Sequence, residues 1–190
     1  MAANTKQALA DAFKRLLSQR SMDKITVKDI VEECGVNRQT FYYHFHDIYA
    51  LLEWIFQDTA DSLLAESRDY GDWSAGVESL LNYLRRDKAL VLNAYNSVNH
   101  DVVNRYLKRL LRPYVMQTVS LQGETLEHPP RKEDVEFVTD LYTLTAAGLI
   151  MEWIGQQMKM QGVEERLRKF YTAIHGSVRF VLENLAENQE

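Results

Sequence analysis

Gly35 stands between two short helical patterns, and only two more residues precede the start of the second. Glycine readily adopts the left-handed conformation in which helices end, and Asn37 is a good N-cap for a following helix. Thr26 is a candidate N-cap for the first pattern, with Asp29 in a weaker form of the capping box. That pattern places apolar residues at helical spacing, at Val27, Ile30, Val31 and Cys34. Residues 25–49 are therefore predicted to form two short helices joined by a tight turn.

The second helix of this pair runs from Arg38 to Phe45 and is rich in polar and aromatic side chains. Phe41 and Phe45 are four residues apart, so we expect both to face the interior. This leaves the other residues for the outside, namely Arg38, Gln39, Thr40, Tyr42, Tyr43 and His44. Exposed tyrosines on a short helix are of use against a DNA duplex, where one helix braces and the other enters the major groove. The alternative is that the two tyrosines pack inside the protein.

Helical periodicity continues through the rest of the chain, and no strand-like alternation occurs. An all-α fold is therefore predicted. Proline removes a backbone donor, so we expect Pro113 to kink or end the helix that begins near Asp101. Residues 123–132 contain Gly123, Pro129 and Pro130 and are predicted to form a loop. Two long helices are predicted after it, over about 133–160 and 164–186.

Composition limits the class of protein. The chain has 190 residues, a net charge of −5 and one cysteine, Cys34, which suits a reducing cytoplasm. Residues 1–50 hold seven lysines and arginines against six acids, so they carry +1 and the remainder carries −6. No apolar run approaches a membrane span, and no leader sequence is evident, so no membrane association is expected. No catalytic motif is present, and neither a metal nor a cofactor is expected; His44 and His46 are spaced to point to different sides of a helix.

The stretch around Gly35 resembles the DNA-binding domain of the TetR family of bacterial transcriptional regulators. The residues that carry the resemblance are Gly35-Val36-Asn37, Thr40-Phe41-Tyr42-Tyr43-His44-Phe45 and Asp47. Within the family, the chain looks most similar to activators of dihydroxyacetone kinase operons. The resemblance implies a three-helix DNA-binding head with a helix-turn-helix over 1–48. It also implies a larger helical domain over 49–190 for effector binding and dimerisation.

Individual roles at the DNA follow partly from chemistry and partly from the resemblance. The guanidinium fork of Arg38 matches the O6 and N7 acceptors of guanine, Gln39 can pair with adenine, and Tyr42 can pack on a thymine methyl. The resemblance implies phosphate contacts for Thr40, Tyr43 and His44, and Thr26 and Lys28 at the start of the bracing helix are also placed for phosphate. The family commonly has lysine where this chain has Ile48, and His46 is an imperfect replacement.

The last two helices are apolar over more than a narrow stripe, and the first of them contains small residues in its middle. They can pack only on their own domain, or they can form a four-helix bundle between two copies. The resemblance favours a homodimer, with an interface at Leu141, Thr145, Gly148, Leu149, Phe170, Ile174, Val178 and Val181. A two-fold pair places two DNA-contacting helices about 34–36 Å apart, one turn of duplex DNA.

The middle helices are expected to hold an effector site, and Trp73, Tyr95 and Tyr142 are candidate contacts. The sequence does not specify whether the effector is a small molecule or a second protein. A basic cluster at Arg105, Lys108, Arg109 and Arg112 can meet an acidic effector or pair with acids of its own chain. The favoured hypothesis is an effector-controlled regulator that binds a double-stranded, palindromic operator. The alternatives are a helical protein-interaction module that does not bind DNA and, with no motif behind it, an enzyme.

Overall fold

The computed structural model describes residues 2–66, 73–96, 100–159 and 162–187, and the side chains of 5–63, 78–96, 100–159 and 162–186. The helices are α1 (Ala2–Leu17), α2 (Val27–Cys34), α3 (Arg38–His44), α4 (Ile48–Glu66), α5 (Trp73–Arg86), α6 (Lys88–Asn96), α7 (His100–Gly123), α8 (Lys132–Gly155) and α9 (Val163–Glu187). A short 3-10 helix covers Met22–Lys24. No strand occurs in these ranges, which confirms the all-α fold.

The chain divides into two compact units, and the first comprises Met1–Ser62 with Arg86–Tyr106. Its core contains the apolar stripe of α1, with every member buried: Leu9, Ala12, Phe13, Leu16 and Leu17. The core also takes in Ile30 and Val31 of α2 and Phe41 and Phe45 at α3, as expected from their spacing. Burial of each large apolar side chain contributes about 1.5–3 kcal/mol, so this small core holds the three helices together.

The first unit is larger than the head predicted from the sequence, because α6 packs on α1. The Nζ atom of Lys14 lies 3.0 Å from a carboxylate oxygen of Asp87, just before α6. The backbone N–H of Met22 donates to the side-chain oxygen of Asn93 at 3.0 Å. The predicted boundary at residue 48 therefore differs from the structural division, which groups residues 86–106 with the helix-turn-helix.

The second unit comprises Leu63–Arg85 with Leu107–Glu190 and is built on the long helices α8 and α9. The hydroxyl of Tyr142 on α8 donates to the hydroxyl of Ser177 on α9 at 2.6 Å, because Ser177 itself donates to the carbonyl of Ala173. Near the other end of α8, the guanidinium of Arg166 on α9 lies 2.7 Å from a carboxylate oxygen of Glu152. These polar contacts fix the register of the two helices.

Pro113 does not end α7, so of the two outcomes expected from the sequence, a kink or an end, the end is excluded. The helix continues to Gly123 even though proline removes one backbone donor at a cost of about 3 kcal/mol. Apolar side chains on both sides of the proline are buried, namely Leu110, Leu111, Val115 and Val119. At about 1.5–3 kcal/mol each, their burial outweighs the missing hydrogen bond. The irregular segment 124–131 follows, where the loop was predicted.

Candidate nucleic-acid interface

The turn between α2 and α3 is set by Gly35. This residue has φ 73° and ψ 27°, the left-handed conformation predicted for it. Its N–H reaches the carbonyls of Val31 and Glu32, and the N–H of Val36 donates to the carbonyl of Val31 at 2.9 Å. These bonds satisfy the free carbonyls at the end of α2 in the pattern of a Schellman motif. The chain therefore reverses within three residues and begins α3 at Arg38.

Asn37 caps α3. Its side-chain oxygen accepts hydrogen bonds from the backbone N–H of Thr40 at 2.8 Å and from the Thr40 hydroxyl at 3.0 Å. The cap matters because α3 has only seven residues, and a helix this short is not stable by itself. The Thr40 hydroxyl donates its proton to Asn37 in this arrangement, so in this structure Thr40 stabilises the start of α3.

Thr26 and Asp29 form a complete capping box at the start of α2. Aspartate therefore closes the box here, although glutamate or glutamine is preferred at that position. The Thr26 N–H donates to the Asp29 carboxylate at 2.8 Å and the Thr26 hydroxyl does so at 2.7 Å. These bonds, with the Arg20 guanidinium at 3.1 Å, lower the pKa of Asp29 to about 2. Thr26 thus acts as a cap. Lys28, the second residue of α2, is exposed, and its Nζ atom lies 3.7 Å from a carboxylate oxygen of Glu32.

One side of α3 is buried and the opposite side faces outward. Phe41 is fully buried and Phe45 is 5% exposed, whereas Tyr42 is 57% exposed and Tyr43 is 81% exposed. The two tyrosines therefore do not pack inside the first unit, which excludes the alternative that they are buried packing residues. Helical geometry at 3.6 residues per turn groups Arg38 with the two tyrosines on one continuous surface. This surface, together with the exposed Gln39, is called the α3 outer face below.

Among the described residues, the arginine of the α3 outer face has no acidic partner. Other cations of the first unit are paired with acids, among them Lys14, Arg15, Arg20, Lys28 and Arg105, at distances of 3.0, 2.7, 3.1, 3.7 and 3.3 Å. Within the described part of the chain, Arg38 makes no ion pair, so its five donors are available to a ligand. Lys24 is likewise exposed and unpaired among the described residues, and sequence reasoning passed over it. Its place in the 3-10 helix, outside any amphipathic pattern, gave no signal.

The base of α3 is held by an aromatic and cationic contact. The Nζ atom of Lys6 on α1 lies 5.7 Å from the ring centre of Phe45 and 5.8 Å from that of Trp54. The two rings pack 5.9 Å apart at a tilted angle. A cation over two aromatic rings attracts both, so Lys6 ties the end of α3 to the first turns of α4.

The surroundings of the other predicted phosphate contacts are mixed. His44 is half-buried, and its ring packs edge-on against Tyr43 with 4.9 Å between centres. His46 is exposed, and its Nε2 atom lies 3.2 Å from a carboxylate oxygen of Asp47, which caps α4. Ile48 is half-buried and offers no charge. The position that holds lysine in many relatives therefore has no cation of its own in this chain.

The eight residues predicted for the subunit interface fall into two groups. Ile174 is 1% exposed and Val178 is fully buried, so both belong to the core of their own unit. This corrects their assignment, because a side chain already covered cannot contact a second copy. Leu141, Thr145 and Gly148 are exposed, and the remaining three are partly exposed, namely Leu149, Phe170 and Val181. Further exposed apolar residues lie nearby in sequence on the same helices, at Phe137, Leu144 and Phe180.

The three residues predicted for the effector site fall on different helices, α5, α6 and α8. Tyr95 belongs to the first unit and stacks on His100, with 4.4 Å between ring centres. Tyr142 belongs to the second unit and bonds to Ser177. The side chain of Trp73 lies outside the described residues.

In the basic cluster, Arg105 pairs with Glu53 at 3.3 Å, and Arg112 pairs with Glu136 and Asp140. These arginines therefore meet acids of their own chain.

Comparison with known proteins decides the family. Residues 9–55 match the family model described as bacterial regulatory proteins, tetR family, and residues 71–176 match the one described as transcriptional regulator C-terminal region. The second match alone covers more than half of the chain. The chain belongs to the TetR family. The two matched families are described as bacterial regulatory proteins and transcriptional regulators, and the α3 outer face lies within residues 9–55.

Two relatives match part of the chain in sequence. The HTH-type dhaKLM operon transcriptional activator DhaS of Lactococcus lactis subsp. lactis (strain IL1403) is 36% identical over 80 residues, which is 42% of this chain and 43% of DhaS. The tetracycline repressor protein class D of Escherichia coli is 30% identical over 87 residues, 46% of this chain and 38% of the repressor. The TetR-family chain thus spans about two fifths of the length of the relatives that it matches.

Solved structures match over nearly the whole chain. The dihydroxyacetone kinase operon activator DhaS superposes with a TM-score of 0.69 at 19% identity, covering 93% of this chain and 97% of DhaS. A TetR transcriptional regulator from Streptococcus agalactiae 2603V superposes with a TM-score of 0.59 at 22% identity, covering 91% and 94%. These likenesses establish the fold.

Among the described helices, none has both the length and the low polarity that crossing a bilayer requires.

Proposed function

We propose that this protein is a homodimeric regulator that binds a palindromic duplex operator through the α3 outer face and responds to an effector. The observation that carries the proposal is the surface formed by Arg38, Gln39, Tyr42 and Tyr43, which is exposed while the opposite side of α3 is buried. An unpaired guanidinium can bond to guanine O6 and N7, and a tyrosine ring can cover a thymine methyl. The capping groups Thr26, Asp29 and Asn37 instead secure the starts of α2 and α3.

The phosphate contacts of the DNA complex form a second part of the proposal. Lys28 is free to swing from its loose pairing with Glu32, and Lys24 adds an exposed cation before α2. Tyr43 and His44 offer donors at the end of α3. Thr26 and Thr40 contribute to phosphate binding only if their hydroxyl protons turn away from Asp29 and Asn37. Phosphate contacts fix the position of the protein on the duplex without specifying its sequence.

The test starts from duplexes selected from random sequence by the purified protein. Binding of the selected and a scrambled duplex is then measured by fluorescence anisotropy at fixed salt. Arg38→Ala should weaken binding to the selected duplex by about 10- to 100-fold per half-site and reduce the preference over the scrambled one by a similar factor. Arg105→Ala removes the same charge from α7 and should leave the preference unchanged. Equal loss in both variants, or an unchanged preference in Arg38→Ala, would contradict base contact by α3.

A second copy is proposed to pack against the exposed apolar surface of α8 and α9. On α8, Phe137, Leu141 and Leu144 are 59%, 43% and 52% exposed, and on α9 Phe180 is 66% exposed. The spacing of the three α8 residues places them on one side of the helix. Gly148 and Gly176 are also exposed, and a Cβ added at either would meet nothing within 4 Å, so a partner helix can approach closely. Two copies joined here form the four-helix bundle that the family uses.

The oligomeric state tests this surface directly. Leu141→Asp should convert the dimer to a monomer in sedimentation velocity experiments, because a charge buried between subunits has no partner. The matched control is Leu121→Asp, which changes an exposed leucine of α7 in the same way. The control should remain dimeric. A monomeric parent protein, or a dimeric Leu141→Asp variant, would remove α8 from the interface.

A further inference from the structure

A cleft between α5 and the beginning of α9, within the second unit, has the dimensions of a small-molecule site. Its volume is about 540 Å³, inside the range of about 300–1,000 Å³ that is usual for such sites. Leu81 and Leu167, each 1% exposed, form its apolar floor, and Tyr171 lies along one wall. Tyr142, the predicted effector contact whose described side chain belongs to the same unit, does not border it. It is called the α5–α9 cleft below.

The positive groups of the α5–α9 cleft are already neutralised by the chain itself. The guanidinium of Arg85 pairs with Glu164, donates to Asn82 at 3.3 Å, and lies over the ring of Trp153 at 5.6 Å. Arg168 pairs with Glu165 one turn away. The two glutamates also occupy the first turn of α9, where their negative charge neutralises the positive end of the helix dipole. An anionic ligand would have to displace these carboxylates, so it would gain little.

Glu78 is the one acid of the cleft lining that has neither an ion-pair nor a hydrogen-bond partner among the described residues. It is exposed, and it lies one turn before Asn82 and two turns before Arg85 on the side of α5 that borders the cleft. An unpaired carboxylate at the edge of a concave, partly apolar surface attracts a cation, and an aromatic ring nearby adds a second attraction.

We propose that the α5–α9 cleft binds an organic ammonium ion with an apolar body. The ammonium group pairs with the carboxylate of Glu78, and the apolar body covers Leu81, Leu167 and the ring of Tyr171. Control of DNA binding from this cleft rests on the proposed function, whereas occupation of the cleft does not.

The experiment uses benzylammonium at pH 7 as the probe and isothermal titration calorimetry on the full chain without DNA. Benzyl alcohol serves as the neutral probe of similar shape, and phenylphosphonate as the anionic one. Benzylammonium should bind at least about tenfold more tightly than either, because only it gains the ion pair with the carboxylate. Tighter binding of phenylphosphonate, or no heat from benzylammonium at millimolar concentration, would overturn the assignment.

Two variants locate the binding site. Glu78→Gln should reduce the affinity for benzylammonium by about tenfold and leave that for benzyl alcohol unchanged, because it removes only the charge. Glu127→Gln makes the same change at an exposed residue of the α7–α8 loop and should bind benzylammonium like the parent. Equal affinities in Glu78→Gln and the parent would place the ligand elsewhere. Circular dichroism should show that both variants fold like the parent.

DNA binding is then measured separately, with and without benzylammonium. A change in operator affinity that Glu78→Gln abolishes supports effector control from the cleft. Ligand binding with no effect on operator affinity leaves the cleft assignment intact and contradicts its role as the effector site. Loss of operator binding in all samples, with benzylammonium binding intact, contradicts the proposed function alone.

Discussion

Replacing Gly35 by alanine isolates the energetic cost of the turn that positions α3. The residue has φ 73°, and a Cβ added there would meet nothing within 4 Å, so the substitution creates no collision with neighbouring side chains. The cost is therefore confined to the backbone. A left-handed conformation costs a residue with a Cβ about 1–2 kcal/mol. Part of this is offset, because alanine loses about 0.4–1 kcal/mol less conformational freedom than glycine on folding.

The net expectation for Gly35→Ala is a loss of about 1 kcal/mol, or about 2–4 °C in the unfolding temperature of a chain of this size. Gly35→Asn should lose less, because asparagine tolerates the left-handed region better than alanine. Thermal unfolding followed by circular dichroism at fixed protein concentration measures both variants. Gly35→Ala as stable as the parent would refute the role of the left-handed turn. Gly35→Asn less stable than Gly35→Ala would show that steric contact, rather than backbone strain, sets the cost.

Four further substitutions test the contacts that hold α2 and α3. Asn37→Ala should cost about 1 kcal/mol in urea unfolding, because it removes the bonds from Asn37 to the Thr40 N–H and hydroxyl, and Asn37→Asp should recover most of it. Folding lowers the pKa of Asp29 from 3.8 to about 2, so the stability contributed by its charge is present above pH 3.8 and is lost as the pH falls through 2. Asp29→Asn should therefore flatten the pH dependence of the free energy of unfolding between these two values. An unchanged slope would contradict the capping box. Lys6→Met should cost about 0.5–1 kcal/mol in the same urea assay by removing the cation above Phe45 and Trp54, and an unchanged midpoint would show that the contact is unimportant.

The helix-turn-helix could be predicted in detail because its determinants are local. Thr26, Gly35 and Asn37 act on backbone groups within a few residues, and the spacing of Phe41 and Phe45 fixes which side of α3 is buried. Each of these effects depends on short-range geometry that the sequence displays directly. The roles of individual side chains at the DNA are not settled by such geometry, and they stay predictions.

The parts that the sequence did not predict depend on long-range packing. Helices α8 and α9 are apolar over wide surfaces, so periodicity could not separate residues facing their own core, such as Ile174 and Val178, from those facing outward. The continuation of α7 beyond Pro113 depends on the burial of the apolar side chains on both sides of the proline. The α5–α9 cleft brings Glu78 near Tyr171, residues far apart in sequence, and no local pattern marks such an arrangement.

The proposal that α3 contacts bases in two copies is tested most directly by chemical footprinting of a selected operator. Dimethyl sulfate reports on guanine N7, and hydroxyl radicals report on the backbone. The parent protein should protect a guanine in each of two half-sites whose centres lie about 10–10.5 base pairs, or a multiple of that, apart. Arg38→Ala, at a concentration that restores backbone protection, should leave those guanines reactive. Guanine protection that persists in Arg38→Ala, or a single protected site bound by one subunit, would contradict the account.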